Sequence, residues 1–339
     1  GKRFSSADAF LKPVAERQNL EILNHAHVLK IVISANKAIG IIYSINGKRH
    51  TAMCDAEIIL SAGSINTPKI LNLSGIGDPD ELTKLGIKTN IANKNIGKNL
   101  QDHLTVNISA TVEGHNTFYE ELRGLNVIKH LINYYRNKPS LFSYAAADVG
   151  VFFKLNENSQ NPDFQIHFAP GAGQYHKDGK MRPISGLTAS VCQLRPFSRG
   201  SVKLQTSNYE DDPIIDYGYL NDSRDTEILL KGIKIVRQFF KTTVMDNLNA
   251  KEIAPGIEVT NDSELEKFLK ATALSVYHPV GTCKMGLDST SVVDPELRVH
   301  GVEGLRVADA SILPQLISGN TNAICNVIGV KCADMIERN

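Results

Sequence analysis

The run Gly63-Ser64-Ile65-Asn66-Thr67-Pro68-Lys69-Ile70-Leu71-Asn72-Leu73-Ser74-Gly75-Ile76-Gly77 decides how this chain is to be read. An apolar segment, Asp55 to Ser61, leads into it through the small residues Ala62-Gly63-Ser64. A turn without bulk lets the backbone approach a phosphate or another element closely; tight helix–strand packing would ask for the same residues. Thr67-Pro68 then predicts a helix start, with Thr67 as N-cap and proline in the first turn, where its missing N–H costs nothing. The stretch therefore reads as strand, turn and helix.

Working upstream, Leu20 to Leu23, Val28 to Ser34, Ala38 to Ile45 and Ala56 to Leu60 predict short strands separated by Asn-Lys and Asn-Gly turn signals. Asn46-Gly47 suits a type I′ hairpin turn, whose two central residues need positive φ. Downstream, residues 105–113 alternate weakly and open a new sheet, and Val149 to Leu155, Phe164 to Phe168, Leu187 to Leu194 and Ser201 to Gln205 are further strand candidates. Leu229, Ile233, Val236 and Phe240 recur at helical spacing and predict an amphipathic helix. Ser263 and Glu266 are placed as a capping box for a second helix carrying Leu265, Phe268 and Leu269. Gly304 to Asp309 reads as a strand, and Asn322 to Glu337 as a last helix with Ile324, Ile328, Cys332 and Ile336 on one face. Antiparallel-looking strands in the middle, bracketed by strand–turn–helix units, point to an α+β fold of two intertwined domains.

With 339 residues, 42% hydrophobic and 22% charged, the chain has the balance of a globular protein with one large domain or two ordinary ones. A net charge of +1 without a dense Lys/Arg stripe argues against a nucleic-acid partner. Cys54, Cys192, Cys283, Cys325 and Cys332 are scattered and form no C-x-x-C pair, a pattern of reduced thiols in the cytoplasm and of no metal site. No apolar run reaches membrane-spanning length. The chain opens on Gly1-Lys2-Arg3-Phe4 without a methionine or a leader, and reads as cut from something longer.

Further runs follow in order: Gly97-Lys98-Asn99-Leu100-Gln101-Asp102-His103, Pro196-Phe197-Ser198-Arg199-Gly200-Ser201-Val202, Tyr277-His278-Pro279-Val280-Gly281-Thr282-Cys283-Lys284-Met285-Gly286, Val307-Ala308-Asp309-Ala310-Ser311 and Gly319-Asn320-Thr321-Asn322-Ala323. With Gly63–Gly77 they make the chain resemble the glucose–methanol–choline (GMC) oxidoreductases, choline dehydrogenase-like members above all. The likeness covers essentially the whole chain and is tightest over residues 55–103 and 274–337. It implies a mixed α+β and α/β fold, a partial Rossmann-like FAD-binding domain plus an antiparallel-sheet substrate-binding domain flanked by helices. Residues 1–103 would be the remaining part of the FAD-binding domain, 104–285 the substrate-binding domain, and 286–339 the return to the first. The family's opening G-x-G-x-x-G turn, which seats the FAD pyrophosphate on a helix N-terminus, is not found. Gly171-Ala172-Gly173-Gln174-Tyr175-His176 has histidine at the third glycine, and Gly75-Ile76-Gly77 ends in Asp80.

The resemblance implies oxidation of an alcohol to an aldehyde, with hydride passing to FAD. Such chemistry needs a base for the hydroxyl proton, and a histidine within reach is worth roughly 10²–10⁴ in rate. His278 stands where the family holds its catalytic histidine, and Asn322 where it holds Asn or His to donate to the substrate oxygen. Asn322 also opens the last helix and could cap it at the same time. Asp309 and Ala310 resemble the turn beside the flavin pyrophosphate, Ala62 and Gly63 a close phosphate approach, and Val28 the backbone that meets adenine. Asn320 resembles a contact to the flavin ring edge, and Asn99, Gln101, Asp102 and His103 the loop that covers the flavin. Val276 would lie near the flavin face. The implied partners are a small alcohol, an electron acceptor (oxygen or a quinone), and an N-terminal FAD half. The location is cytoplasmic or peripheral at the inner membrane face. Two alternatives stay open: a non-catalytic C-terminal fragment or subunit, and a hydroxynitrile lyase-type member of the same fold. A quaternary ammonium substrate would want aromatic rings and a carboxylate, and Phe118, Tyr119, Tyr144, Phe168, Tyr175 and Tyr277 supply rings without a telling spacing.

Overall fold

The computed structural model describes residues 4–145, 147, 149–175 and 180–338; the side chain of Tyr175 and all of His176 lie outside the described residues. The chain forms two compact units. One takes Gly1–Phe10, His103–Leu194 and Asp222–Val276, the other Leu11–Asp102, Arg195–Asn221 and Tyr277–Asn339. Segments 195–221 and 277–285 thus pack with the second unit.

The first unit is built on an antiparallel sheet in the order Lys251–Ala254, Leu104–Thr111, Gly186–Gln193, Phe164–Ala169, Val149–Phe153, with Leu274–Ser275 pairing the start of Leu104–Thr111. Alternation is the reason: Leu104, Val106, Ile108 and Ala110 are buried every second residue. Helix Ser223–Phe239 covers this sheet, begun by Asp222, whose carboxylate accepts from Arg224 N–H. Its predicted face is in place, with Leu229, Ile233, Val236 and Phe240 buried, each worth roughly 1.5–3 kcal/mol. Gly232 lets the helix come close, for a Cβ there would sit 2.6 Å from Val191 Cγ1 and 3.1 Å from Phe164 Cε1. The helix bearing Leu265 and Leu269 spans Asp262–Thr272 and is capped by Asn261, which accepts from Glu264 N–H. The expected Ser263/Glu266 box does not form. Asn261 takes the cap two residues earlier, and Glu264 accepts from Thr260 N–H.

In the second unit, His27–Ser34, Lys37–Ile45 and Lys48–Met53 form an antiparallel meander. Asn46 and Gly47 have φ of 51° and 76°, as a type I′ turn requires. Leu20–Leu23 is not a strand; Leu20, Ile22 and Leu23 are exposed, and the run has no neighbouring strand to ladder with among the described residues. Ile58–Leu60 pairs in parallel with Leu305–Val307, which bury Leu60, Leu305 and Val307. Between them Arg306, 1% exposed, is held by both Glu57 oxygens at 2.7 and 3.1 Å. This bidentate pair keeps the Glu57 carboxyl below its ordinary range.

Helix Gly63–Leu73 starts four residues before the expected Thr67, with Ala62 as N-cap and Pro68 inside it. Pro68 has no N–H for the Ser64 carbonyl one turn back. The Thr282 hydroxyl donates to that carbonyl instead, at 2.7 Å. Thr67 is fully buried rather than capping: its hydroxyl accepts from Ala62 N–H and donates to Asp309 at 2.5 Å. The last helix, Thr321–Glu337, buries Ile328 and Cys332, while Ile336 stays 39% exposed.

Candidate active site

Tyr277 opens the loop that carries His278, and its φ of 62° turns the chain sharply. The turn is clamped by Asp102, which is 3% exposed. Asp102 Oδ1 accepts the His278 backbone N–H at 2.7 Å, and its Oδ2 accepts the Tyr219 hydroxyl at 2.6 Å. Next, Gln101 and Val280 exchange both backbone hydrogen bonds, at 3.1 and 2.9 Å. The buried Gln101 side chain donates to the Pro196 carbonyl and accepts from Leu316 N–H. Gly281 has φ of 93°, and a Cβ there would lie 2.5 Å from the Asn99 carbonyl oxygen. Only glycine fits that approach. On the other side the Pro279 carbonyl accepts the Ser64 hydroxyl at 2.7 Å. His278 is therefore fixed from both flanks.

The imidazole meets an amide. Asn320 Nδ2 lies 3.3 Å from His278 Nε2. An amide nitrogen can only donate, so Nε2 carries the lone pair and accepts from Asn320, and an incoming hydroxyl takes the amide's place to use it. Asn320 is the N-cap of the 17-residue helix Thr321–Glu337, yet its side chain makes no cap hydrogen bond. The first-turn N–H groups keep their partial positive charge beside the histidine. Asn322 is not the cap. It lies in the first turn, exposed, with its carbonyl accepting from Asn326 Nδ2 at 2.9 Å.

A second knot joins the strand ends. Asp309 Oδ2 accepts Gly63 N–H at 2.9 Å as well as the Thr67 hydroxyl, and Oδ1 accepts Ser311 N–H at 2.8 Å. The carbonyls of Ala310 and Ser311 accept from Gly281 and Cys283 N–H, which ties this turn to the histidine loop. Burial pushes the Cys283 thiol far up, and the Asp309 charge adds to it. Burial likewise raises Tyr217, helped by the charges of Asp102 and Tyr277; its ring stacks on Tyr219 at 4.9 Å.

Two models of one family match the chain, GMC oxidoreductase N-terminal over residues 1–105 and C-terminal over residues 196–329. The chain belongs to the GMC oxidoreductase family. It is 39% identical over its whole length to an alcohol dehydrogenase [acceptor] of Pseudomonas putida, of which it covers 62%. Over 99% of its length it is 36% identical to the mitochondrial choline dehydrogenase of Homo sapiens, covering 57% of that protein. Among solved structures, an FAD-dependent oxidoreductase from Chaetomium thermophilum matches with a TM-score of 0.87 and 26% identity, covering 96% of this chain and 63% of that one. This chain thus spans about 60% of the length of the relatives it matches. The mixed α+β architecture is the one shared by its GMC structural neighbours.

Within this GMC chain the structure gathers His278, Asn320, Asp102 and Asn99 around one loop, and Asp309, Ala310, Ala62 and Gly63 around one turn. Asn99 donates to the Gly281 and Pro314 carbonyls and accepts from Arg199. His103 is 1% exposed, its Nε2 3.0 Å from the Leu194 carbonyl. Val276 N–H donates to the His103 carbonyl just after the Leu274–Ser275 strand. Val28 sits in the meander opposite Tyr43. Sequence reading passed over Tyr219 and Thr282 as site supports. Thr282 lay inside a quoted run and a proline one turn from an unpaired carbonyl could have pointed to it; Tyr219 left no signal. Among the described residues no cluster of His, Cys, Asp or Glu could hold a metal ion.

Proposed function

We propose that the protein oxidises a small alcohol to an aldehyde with FAD, and that His278 is the base that takes the hydroxyl proton. The observation that carries this is the His278 Nε2 lone pair, aligned 3.3 Å from Asn320 Nδ2 at an uncapped helix N-terminus. A base removes the proton as carbon–hydrogen cleavage proceeds, because an alkoxide gives up hydride far more readily than an alcohol. Bound FAD would supply the acceptor for that hydride. Asn320 holds the imidazole in the base-competent tautomer. Asn322, two residues on and exposed in the same first turn, offers an amide to the substrate oxygen. Oriented N–H donors suit a negatively charged cofactor. The uncapped first turn of Thr321–Glu337 supplies them, Ala62, Gly63, Asp309, Ala310, Asn99 and Val28 complete the proposed cofactor contacts, and Asp102 supports the histidine loop from beneath.

The names of the relatives favour a choline-like alcohol as substrate. Tyr277, 85% exposed and next to His278, is an aromatic ring that a quaternary ammonium group could face. Oxygen or a quinone would reoxidise the enzyme. No helix among the described residues is long and apolar enough to cross a membrane. We place the protein in the cytoplasm, peripheral at the inner membrane face.

The test is His278→Ala in the complete, flavin-loaded enzyme, followed by anaerobic rapid mixing with alcohol. Flavin should stay bound while its reduction slows by roughly 10²–10⁴. Reduction at the unmodified rate would remove His278 from the chemistry. An unmodified enzyme that binds FAD but leaves it oxidised by every alcohol would favour the hydroxynitrile lyase-type reading.

A further inference from the structure

Helix Gly124–Tyr135 has two faces of opposite character, and only one of them is used. Val127, His130 and Tyr134 turn inward. His130 Nε2 lies 2.9 Å from Glu121, His130 Nδ1 accepts Leu141 N–H at 3.3 Å, and the His130 and Tyr134 rings both meet Phe142 edge-on at 6.5 Å. The outer face carries Leu125, Ile128, Ile132 and Tyr135, spaced i, i+3, i+7 and i+10, with exposures of 82%, 52%, 51% and 79%. No residue of the helix is buried. An amphipathic helix in a globular protein turns such a stripe into the core; here it faces out.

Charge says what covers it. The helix holds no Asp or Glu, while Arg123, Lys129, Arg136 and Lys138 lie within or just beside it. Lys129 and Arg136 sit on the flank of the apolar stripe. Arg123 lies over the Tyr119 ring at 4.3 Å. The two nearest acids are already engaged, Glu120 by Thr117 and Glu121 by His130 and Asn116. An apolar stripe bordered by cations that pair with no carboxylate among the described residues fits a surface that is hydrocarbon below and anionic above. Pairing with a second copy of this face would bring cation to cation.

We propose that this face of Gly124–Tyr135 docks on an anionic phospholipid bilayer, lying in the plane of the headgroups. The assignment rests on the peripheral location given under Proposed function and names the surface responsible. It is independent of the alcohol chemistry. The test is flotation of the complete, flavin-loaded protein with phosphatidylcholine vesicles, with and without phosphatidylglycerol, at low and high salt. Binding is expected on the phosphatidylglycerol vesicles and should weaken with salt. Ile128→Asp/Ile132→Asp and Lys129→Glu/Arg136→Glu should each weaken it roughly tenfold or more. All four side chains are exposed, so circular dichroism should match the parent. Flavin reduction in solution should also match it, so loss of lipid binding and loss of oxidation are read separately. No binding to phosphatidylglycerol vesicles at low salt, or binding unaltered by both double substitutions, would overturn the proposal. A drop in solution mass on Ile128→Asp/Ile132→Asp would overturn it too, by assigning the face to a second copy.

Discussion

Asp102→Ala tests the idea that a buried carboxylate, remote in sequence from His278, sets the position of its imidazole. The carboxylate accepts one hydrogen bond from the His278 backbone at 2.7 Å and one from the Tyr219 hydroxyl at 2.6 Å. Hydrogen bonds to a charged group are worth about 1.5–3 kcal/mol each, and recovered solvation of the freed donors returns part of that, leaving a cost of about 2–4 kcal/mol. The larger effect should fall on rate. Without the clamp Tyr277 has less reason to hold its φ of 62°, and a displacement of about 1 Å at a reacting group costs on the order of 10²-fold. Two conservative variants separate hydrogen-bond geometry from charge. Asp102→Asn keeps an oxygen for His278 N–H and turns its amide nitrogen to Tyr219, whose hydroxyl can accept instead. Tyr219→Phe removes one bond and leaves the His278 clamp whole. Flavin reduction by anaerobic rapid mixing should therefore fall about 10²-fold in Asp102→Ala and only several-fold in the other two. Denaturant melts of the same proteins give the stability cost. Reduction at the parent rate in Asp102→Ala, or an equal loss in Asp102→Asn, would refute positioning by hydrogen bonding.

Two further expectations follow from packing and titration. Gly232→Ala gains helix propensity of about 1 kcal/mol but places a methyl 2.6 Å from Val191 Cγ1, so overpacking of about 1–3 kcal/mol should win and urea unfolding should show a net loss; a stabilised variant would contradict the contact. At Glu120, burial opposes ionisation, but hydrogen bonds from the Thr117 side chain and backbone and from Ser185 outweigh it and hold the carboxyl at about 2. A depressed carboxyl stabilises the fold above its unfolded value of 4.5 and loses that contribution as pH falls towards about 2. The stability gap between the parent and Glu120→Gln should therefore close over that window, and a gap independent of pH would count against it.

Periodicity and turn chemistry were enough to read most of the elements. The alternation of Leu104, Val106, Ile108 and Ala110 and the helical spacing of Leu229, Ile233 and Val236 are local signals, and burial follows them. Helix starts were less legible. Ser263 and Thr67 both have good capping chemistry, but Asn261 lies at the right place for one helix, and Asp309 takes up the Thr67 hydroxyl beside the other. Leu20–Leu23 has strand composition without a partner strand, and a ladder needs two sides.

By itself the sequence determined the family and the fold class and singled out His278 as a candidate, because glycine positions, small-residue turns and ordered motifs are set by local backbone demands that leave a mark on residue type. Only the tertiary structure decided which groups serve that histidine. Asn320 reaches it across 42 positions, Asp102 across 176, and Ser64 reaches the Pro279 carbonyl across 215. A hydrogen bond is fixed to within tenths of an ångström, and no composition or period encodes contact at that range between residues so far apart in the chain.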